Sequence, residues 1–240
     1  MAGHSKWSNI KHKKAKNDEK KGKIFSRLAK EIITAVKLSG ADISSNPRLR
    51  LALQKAKAAN MPNENVQRNI KKAQNTDVKL MDAIYEVYGS GGVGVIIEGM
   101  TDNKNRLNSS IREAIKKTNG VIGNQGSVAH SFNKLGVVTI DKENISDYQM
   151  IDLMEVECII DILDLLGQHS IQCEHSKLTV VTDWLEKQAI PFASADICWM
   201  PTVYVTCNQE DTEANNLLFE RLDDVEDVDV VYHNMSMEDS

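Results

Sequence analysis

Ile24-Phe25-Ser26-Arg27-Leu28-Ala29-Lys30-Glu31-Ile32-Ile33-Thr34-Ala35-Val36 repeats its apolar residues so that Ile24, Phe25, Leu28, Ala29, Ile32, Ile33 and Val36 form one stripe at helical spacing. The stripe predicts an amphipathic helix that stops at Ser39-Gly40. Asn46-Pro47 then offers a capping side chain with proline at the first helical position, where no backbone N–H is needed. Leu49, Ala52, Leu53 and Ala56 continue it as a second stripe, which ends before Met61-Pro62. A third helix follows, with Val66, Ile70 and Ala73 facing inward. Three short helices with short connections predict a bundle of about 75 residues, the size of a small domain.

The same stretch is the basic part of the chain. Over 240 residues the net charge is −5, which by itself suggests no polyanion partner. Residues 1–72, however, carry 18 Lys+Arg against 5 Asp+Glu, while the remainder carries 11 against 29. Such asymmetry points to a dedicated polyanion-binding segment, with the acidic remainder turned away from phosphates. Arg68, Lys71 and Lys72 fall at i, i+3, i+4, clear of the third helix's apolar stripe. Arg48 and Lys55 share a face of the second helix, as do Arg50 and Lys57. Ahead of the bundle, residues 1–17 show no amphipathic period and read as an arm that orders on contact with a partner. Its lone Trp7 among lysines suits stacking on a base. The candidate nucleic-acid contacts are Lys6, Trp7, Lys11, His12, Lys13, Lys14 and Lys16 in the arm, and Arg27, Arg48, Lys55, Arg68, Lys71 and Lys72 in the bundle.

Beyond residue 77 the pattern becomes mixed. A strand at Val93–Glu98, a helix at Asn103–Thr118 and a strand at Ser127–Phe132 are echoed near the C-terminus by a strand at Thr202–Thr206, a helix at Glu213–Leu222 and a strand at Val228–Tyr232. Between them a further β–α–β series runs from Gly136–Ile140 to Ile197–Trp199. The predicted fold is α+β and multidomain: an N-terminal three-helix bundle (1–77), a discontinuous α+β domain (78–134 plus 202–240) and an inserted α+β domain (135–201), both of ferredoxin-like βαβ type.

Little in the chain calls for catalysis. The glycines of Tyr88-Gly89-Ser90-Gly91-Gly92-Val93-Gly94 precede a strand rather than a helix and lack the lysine of a phosphate loop, so they predict a tight turn. In Thr101-Asp102-Asn103-Lys104-Asn105-Arg106, Asp102 or Asn103 is expected to cap a helix, with Lys104 and Arg106 as alternative secondary contacts to nucleic acid. His169, Cys173 and His175 lack a fourth ligand at zinc spacing. The acidic run Asp223, Asp224, Glu226, Asp227, Asp229 reads as a solvated face. Four cysteines without CxxC spacing suit a reducing compartment, and no stretch is apolar and long enough to span a bilayer. The expectation is a cytoplasmic protein that is not an enzyme, with no cofactor, metal, membrane or small-molecule substrate.

Long blocks of the sequence resemble the YebC family: Ala2-Gly3-His4-Ser5-Lys6-Trp7-Ser8-Asn9-Ile10-Lys11-His12-Lys13-Lys14, Gly22-Lys23-Ile24-Phe25, Met61-Pro62-Asn63-Glu64-Asn65-Val66 and Arg68-Asn69-Ile70-Lys71-Lys72-Ala73. So do Tyr85-Glu86-Val87-Tyr88-Gly89-Ser90-Gly91-Gly92-Val93, Gly126-Ser127-Val128-Ala129 and Val231-Tyr232-His233-Asn234, while residues 158–201 match least. The resemblance implies a helical bundle and two α+β domains, one discontinuous. With no transit segment ahead of the signature, it also implies a bacterial member. It implies a transcriptional regulator that binds DNA, or alternatively a ribosome- and rRNA-associated translation factor that promotes elongation through stalling sequences.

Overall fold

The computed structural model describes residues 19–75 and 80–236. Its described elements, in order, are α1 (Glu19–Ser39), α2 (Pro47–Ala58), α3 (Asn63–Asn75), β1 (Met81–Tyr88), β2 (Gly94–Thr101), α4 (Lys104–Lys116), β3 (Val121–Ile122), β4 (Phe132–Asp141), α5 (Asp147–Met154), β5 (Ile159–Leu165), β6 (Gln168–Glu174), α6 (Leu178–Lys187), β7 (Ser194–Pro201), α7 (Gln209–Asp223) and β8 (Val228–His233). The α+β class with an N-terminal helical bundle is the one observed. Among the described residues no helix is long and apolar enough to cross a membrane.

The corner between α1 and α2 is set by one buried side chain. Asn46 accepts a hydrogen bond from the Leu49 N–H at 3.0 Å, capping α2, and donates from Nδ2 to the Ala35 and Gly40 carbonyls at 2.8 Å each. One amide thus satisfies orphan groups at the end of one helix and the start of the next. Asn60, in the left-handed region at φ 57°, closes α2 ahead of α3. Leu28, Ile32, Ile33 and Val36 of α1, Leu49, Ala52 and Ala56 of α2, and Val66 and Ala73 of α3 are buried. Most of each apolar stripe is therefore interior, while Phe25, Ala29, Leu53 and Ile70 are half-buried and Ile24 lies exposed at the start of its stripe.

The first sheet has strand order β3-β1-β2-β8, and each of its pairs is antiparallel. Ala83 and Val87 of β1, Val95 and Ile97 of β2, and Val228 and Val231 of β8 pack against Leu107, Ile111 and Ile115 of α4 and Leu218, Phe219 and Leu222 of α7. The second sheet has order β5-β6-β4-β7. With its element order β–α–β–β–α–β, it has the ferredoxin-like arrangement. Leu153 of α5 and Leu178, Val181 and Leu185 of α6 cover Val138, Ile140, Ile171 and Cys173 of this sheet.

Three expectations need correction. Ser127–Phe132 is not a strand. Residues 129–131 form a short helical turn, β4 begins at Phe132, and the backbone N–H groups of Gly126, Val128 and Ala129 donate to the Glu86 carboxylate. Thr202–Thr206 likewise has strand composition but, among the described residues, a single isolated bridge, Val205 to Met235, and Val203 is 61% exposed. The acidic C-terminal run is not wholly solvated: Asp227 is buried, accepting from Thr101 Oγ1 at 2.8 Å and Arg106 Nη2 at 2.6 Å.

The described chain divides into two compact units, one of residues 24–75 and 134–198, the other of 19–23, 80–133 and 199–236. Within the first unit, Leu51 of α2 packs against the core of the second sheet.

Candidate nucleic-acid interface

On α3, Val66 and Ala73 turn inward, and Arg68, Lys71 and Lys72 lie exposed. Their i, i+3, i+4 spacing brings three cations onto adjacent turns of one helix face. Glu64 is the acidic residue in the first turn of this helix. Arg68 Nη2 donates to Asn65 Oδ1 at 2.9 Å, one turn back, which limits how the guanidinium can swing.

The second helix divides its cations. Arg48 and Lys57 are exposed. Lys55, about two helical turns from Arg48, is drawn into an internal cluster: its Nζ lies 2.9 Å from Asp196 Oδ1 and 3.4 Å from Glu31 Oε2, with the side chain 18% exposed. Burial alone would depress the Lys55 ammonium, but Asp196 and Glu31 outweigh it and hold it above its ordinary range. Arg27 joins the cluster through Glu31, Nε to Oε1 at 3.1 Å. Arg50 reaches Asp183 Oδ1 at 3.6 Å and donates to the Ile43 carbonyl at 3.0 Å, and Gln54 donates to Glu186. Asp183 and Glu186 lie on α6 and Asp196 on β7, so acids of the second α+β segment hold part of the basic bundle.

The structure thus brings Arg68, Lys71 and Lys72 together on the surface and leaves Arg48 exposed. Arg27 and Lys55 are placed in ion pairs. Lys6, Trp7, Lys11, His12, Lys13, Lys14 and Lys16 lie outside the described residues.

The other motifs serve the fold. The glycine loop is a tight turn, with Gly91 at φ 66° and Asn215 of α7 clamping both sides of Ser90: its Oδ1 accepts from the Ser90 N–H at 2.9 Å and its Nδ2 donates to the Ser90 carbonyl at 3.0 Å. A Cβ on Gly89 would lie 2.3 Å from Asn215 Oδ1, so a side chain there would have to displace the Asn215 amide from its clamp on Ser90. Asn103 caps α4, accepting from the Asn105 and Arg106 N–H groups at 3.1 Å. Arg106 is tied to Asp102 as well as Asp227. His169 Nδ1 lies 3.6 Å from Asp164, His175 is exposed, and burial pushes the fully enclosed Cys173 thiol up to about 12. Among the described residues no group of three or more His, Cys, Asp or Glu is placed to hold a metal ion.

Sequence reasoning missed Glu86. It sits on β1 with both carboxylate oxygens engaged, Oε1 by the Gly126 N–H at 2.5 Å and Oε2 by those of Val128 and Ala129 at 2.6 and 2.8 Å. Burial opposes its charge, but these backbone bonds prevail and hold its carboxyl below the ordinary range. The one signal in the sequence is a lone glutamate between the inward-facing Ala83 and Val87 of the strand.

Two family models together account for nearly the whole chain: the TACO1/YebC protein N-terminal domain matches residues 5–76, and the TACO1/YebC second and third domain matches residues 80–235. A probable transcriptional regulatory protein of Protochlamydia amoebophila is 47% identical over 99% of this chain and 97% of its own length. One of Chlamydia pneumoniae is 46% identical over 98% of this chain and 100% of its own. A crystal structure of a conserved hypothetical protein from Aquifex aeolicus superposes with a TM-score of 0.81 at 34% identity, covering 94% of each chain. On matches that run the length of the sequence, the chain belongs to the TACO1/YebC family.

Proposed function

We propose that this protein is a non-enzymatic regulatory protein that binds nucleic acid, DNA in the first place, and acts on transcription. The observation that carries the reading is the α3 surface, where Arg68, Lys71 and Lys72 stand exposed on one face. Three cations on one helix face suit a phosphate backbone, and the counterions they release supply affinity without base reading. The names of the relatives, probable transcriptional regulatory proteins, support the regulatory part. The test is the Arg68→Gln/Lys71→Gln/Lys72→Gln variant, titrated with a labelled duplex of about 20 base pairs by anisotropy across a salt series. If all three side chains meet phosphates, the slope of log K against log salt becomes shallower by about 0.9 for each phosphate no longer neutralised. An unchanged slope and affinity refute the assignment of this face.

A second reading, a ribosome- and rRNA-associated translation factor, is favoured by the tether of Arg68 to Asn65. A guanidinium with one nitrogen engaged is less suited to the paired hydrogen bonds that read a guanine edge, and better suited to a phosphate. Binding by phosphate and shape is the mode expected on folded RNA. Co-sedimentation with ribosomes, with crosslinks to one rRNA region, supports this reading. Recovery of discrete promoter fragments without a ribosome signal supports the first.

A further inference from the structure

The second α+β segment carries a surface that the basic bundle does not explain. Between Lys142 and Lys177 the chain has no lysine or arginine but eight acids: Glu143, Asp147, Asp152, Glu155, Glu157, Asp161, Asp164 and Glu174. Within this run α5 turns Leu153 into the core and leaves Tyr148 83%, Ile151 57% and Met154 63% exposed. Their three-residue spacing makes them neighbours along one helix face. Asp147, Asp152 and Glu155, also exposed, flank that stripe. Single exposed apolar residues need no explanation, but three large ones side by side on one short helix form a patch. The start of the helix is fixed separately, by a reciprocal cap between Ser146 and Gln149.

We propose that the exposed face of α5 is a docking surface for a protein segment whose apolar residues are flanked by lysines or arginines, such as a basic amphipathic helix. The apolar stripe supplies the contact area, and Tyr148 and Met154 are side chains suited to such a surface. The acidic flanks set the sign of the partner: they attract cationic residues and repel phosphates, so nucleic acid is excluded from this face. The inference does not depend on the proposed function, because it concerns a different surface and a partner of opposite charge.

The test uses the full chain and three synthetic peptides of about five helical turns: an amphipathic Leu/Lys helix, its Leu/Glu counterpart, and a scrambled Leu/Lys peptide of the same composition. Binding is followed by calorimetry and by amide chemical shifts. The Leu/Lys helix is expected to bind and to shift residues 147–155. Ile151→Ser/Met154→Ser is expected to weaken it at least tenfold with the rest of the spectrum retained, and Asp152→Asn/Glu155→Gln to weaken it while flattening its salt dependence. Equal binding of the Leu/Glu or scrambled peptide overturns the proposal, as does undiminished binding to the serine variant. Concentration-dependent self-association that the serine variant abolishes would make a second copy the occupant and overturn the assignment to a separate partner. Duplex binding unaffected by these changes separates this result from any failure of the α3 assignment.

Discussion

Replacing Glu86 by glutamine tests whether one buried carboxylate holds the 124–131 turn in place. Three backbone N–H groups converge on it, at 2.5, 2.6 and 2.8 Å, and both oxygens are used. Glutamine is nearly isosteric but has one acceptor oxygen. If that oxygen keeps the pair from Val128 and Ala129, the amide NH2 meets the Gly126 N–H, donor against donor. One charge-assisted bond of about 1.5–3 kcal/mol is then lost, and the other two fall towards the neutral value of about 1 kcal/mol. The sum is a cost of about 3–5 kcal/mol at neutral pH. Because the folded carboxyl titrates below its unfolded value of about 4.3, the contribution is present above that value. It is lost as pH falls through the folded pKa. Urea unfolding of both proteins at neutral pH and well below the carboxylate range should show a large gap that narrows in acid. Amide exchange at Gly126, Val128 and Ala129 should accelerate selectively in the variant. A gap of equal size at both pH values, or unchanged exchange at those amides, refutes the argument.

Asn46→Asp keeps the cap on Leu49 but sets a carboxylate against the Ala35 and Gly40 carbonyls, so it should destabilise the bundle by at least as much as Asn46→Ala, about 2–3 kcal/mol in thermal unfolding; a neutral effect of the aspartate would refute the two-helix role. Asp196→Asn should cost about 1 kcal/mol, discounted because Asp196 is itself 38% exposed, and the difference should shrink in high salt. The raised Lys55 pKa means that the pair's contribution is complete below about 10.4 and disappears as pH climbs through the folded value, so the two proteins should converge in strong alkali. Gly89→Ala should cost about 2–3 kcal/mol through its collision with Asn215, and markedly less when Asn215 is already alanine; additive costs in a double-mutant cycle would exclude the clash as the cause.

The bundle is legible in the sequence because its signals are local. A 3.6-residue stripe, a capping asparagine before proline and a stop at Ser39-Gly40 each act within a few residues, and the helices begin or end there. The sheets are less so. β1 is hard to recognise as a strand because Ile84 and Tyr88, on its outward side, interrupt a clean apolar alternation. Ser127–Phe132 has a strand's composition, but a carboxylate some forty residues earlier takes the N–H groups that a neighbouring strand would need. The basic surface is legible as a charge count but not as a map. Helical spacing puts Arg48 and Lys55 on one side of α2, yet Lys55 is drawn into an ion pair with Asp196 of β7 while Arg48 stays exposed. Ion pairs of this kind join residues far apart in sequence, and no local pattern announces them. Glu86 escapes for the same reason.

The discontinuity of the first sheet bears on how the chain is made. β2 is its most enclosed strand, paired on one side with β1 and on the other with β8, which begins only at Val228. During synthesis, everything from β4 to β7 is produced while one side of β2 has no partner, and its run Val95-Ile96-Ile97 is an apolar, hydrogen-bond-hungry margin of the kind that recruits strands from other molecules. The β4–β7 sheet draws all its strands from one continuous stretch and can close without waiting. The nascent protein therefore passes through an interval with one sheet finished and the other open, and the arrival of β8 ends its exposure to aggregation.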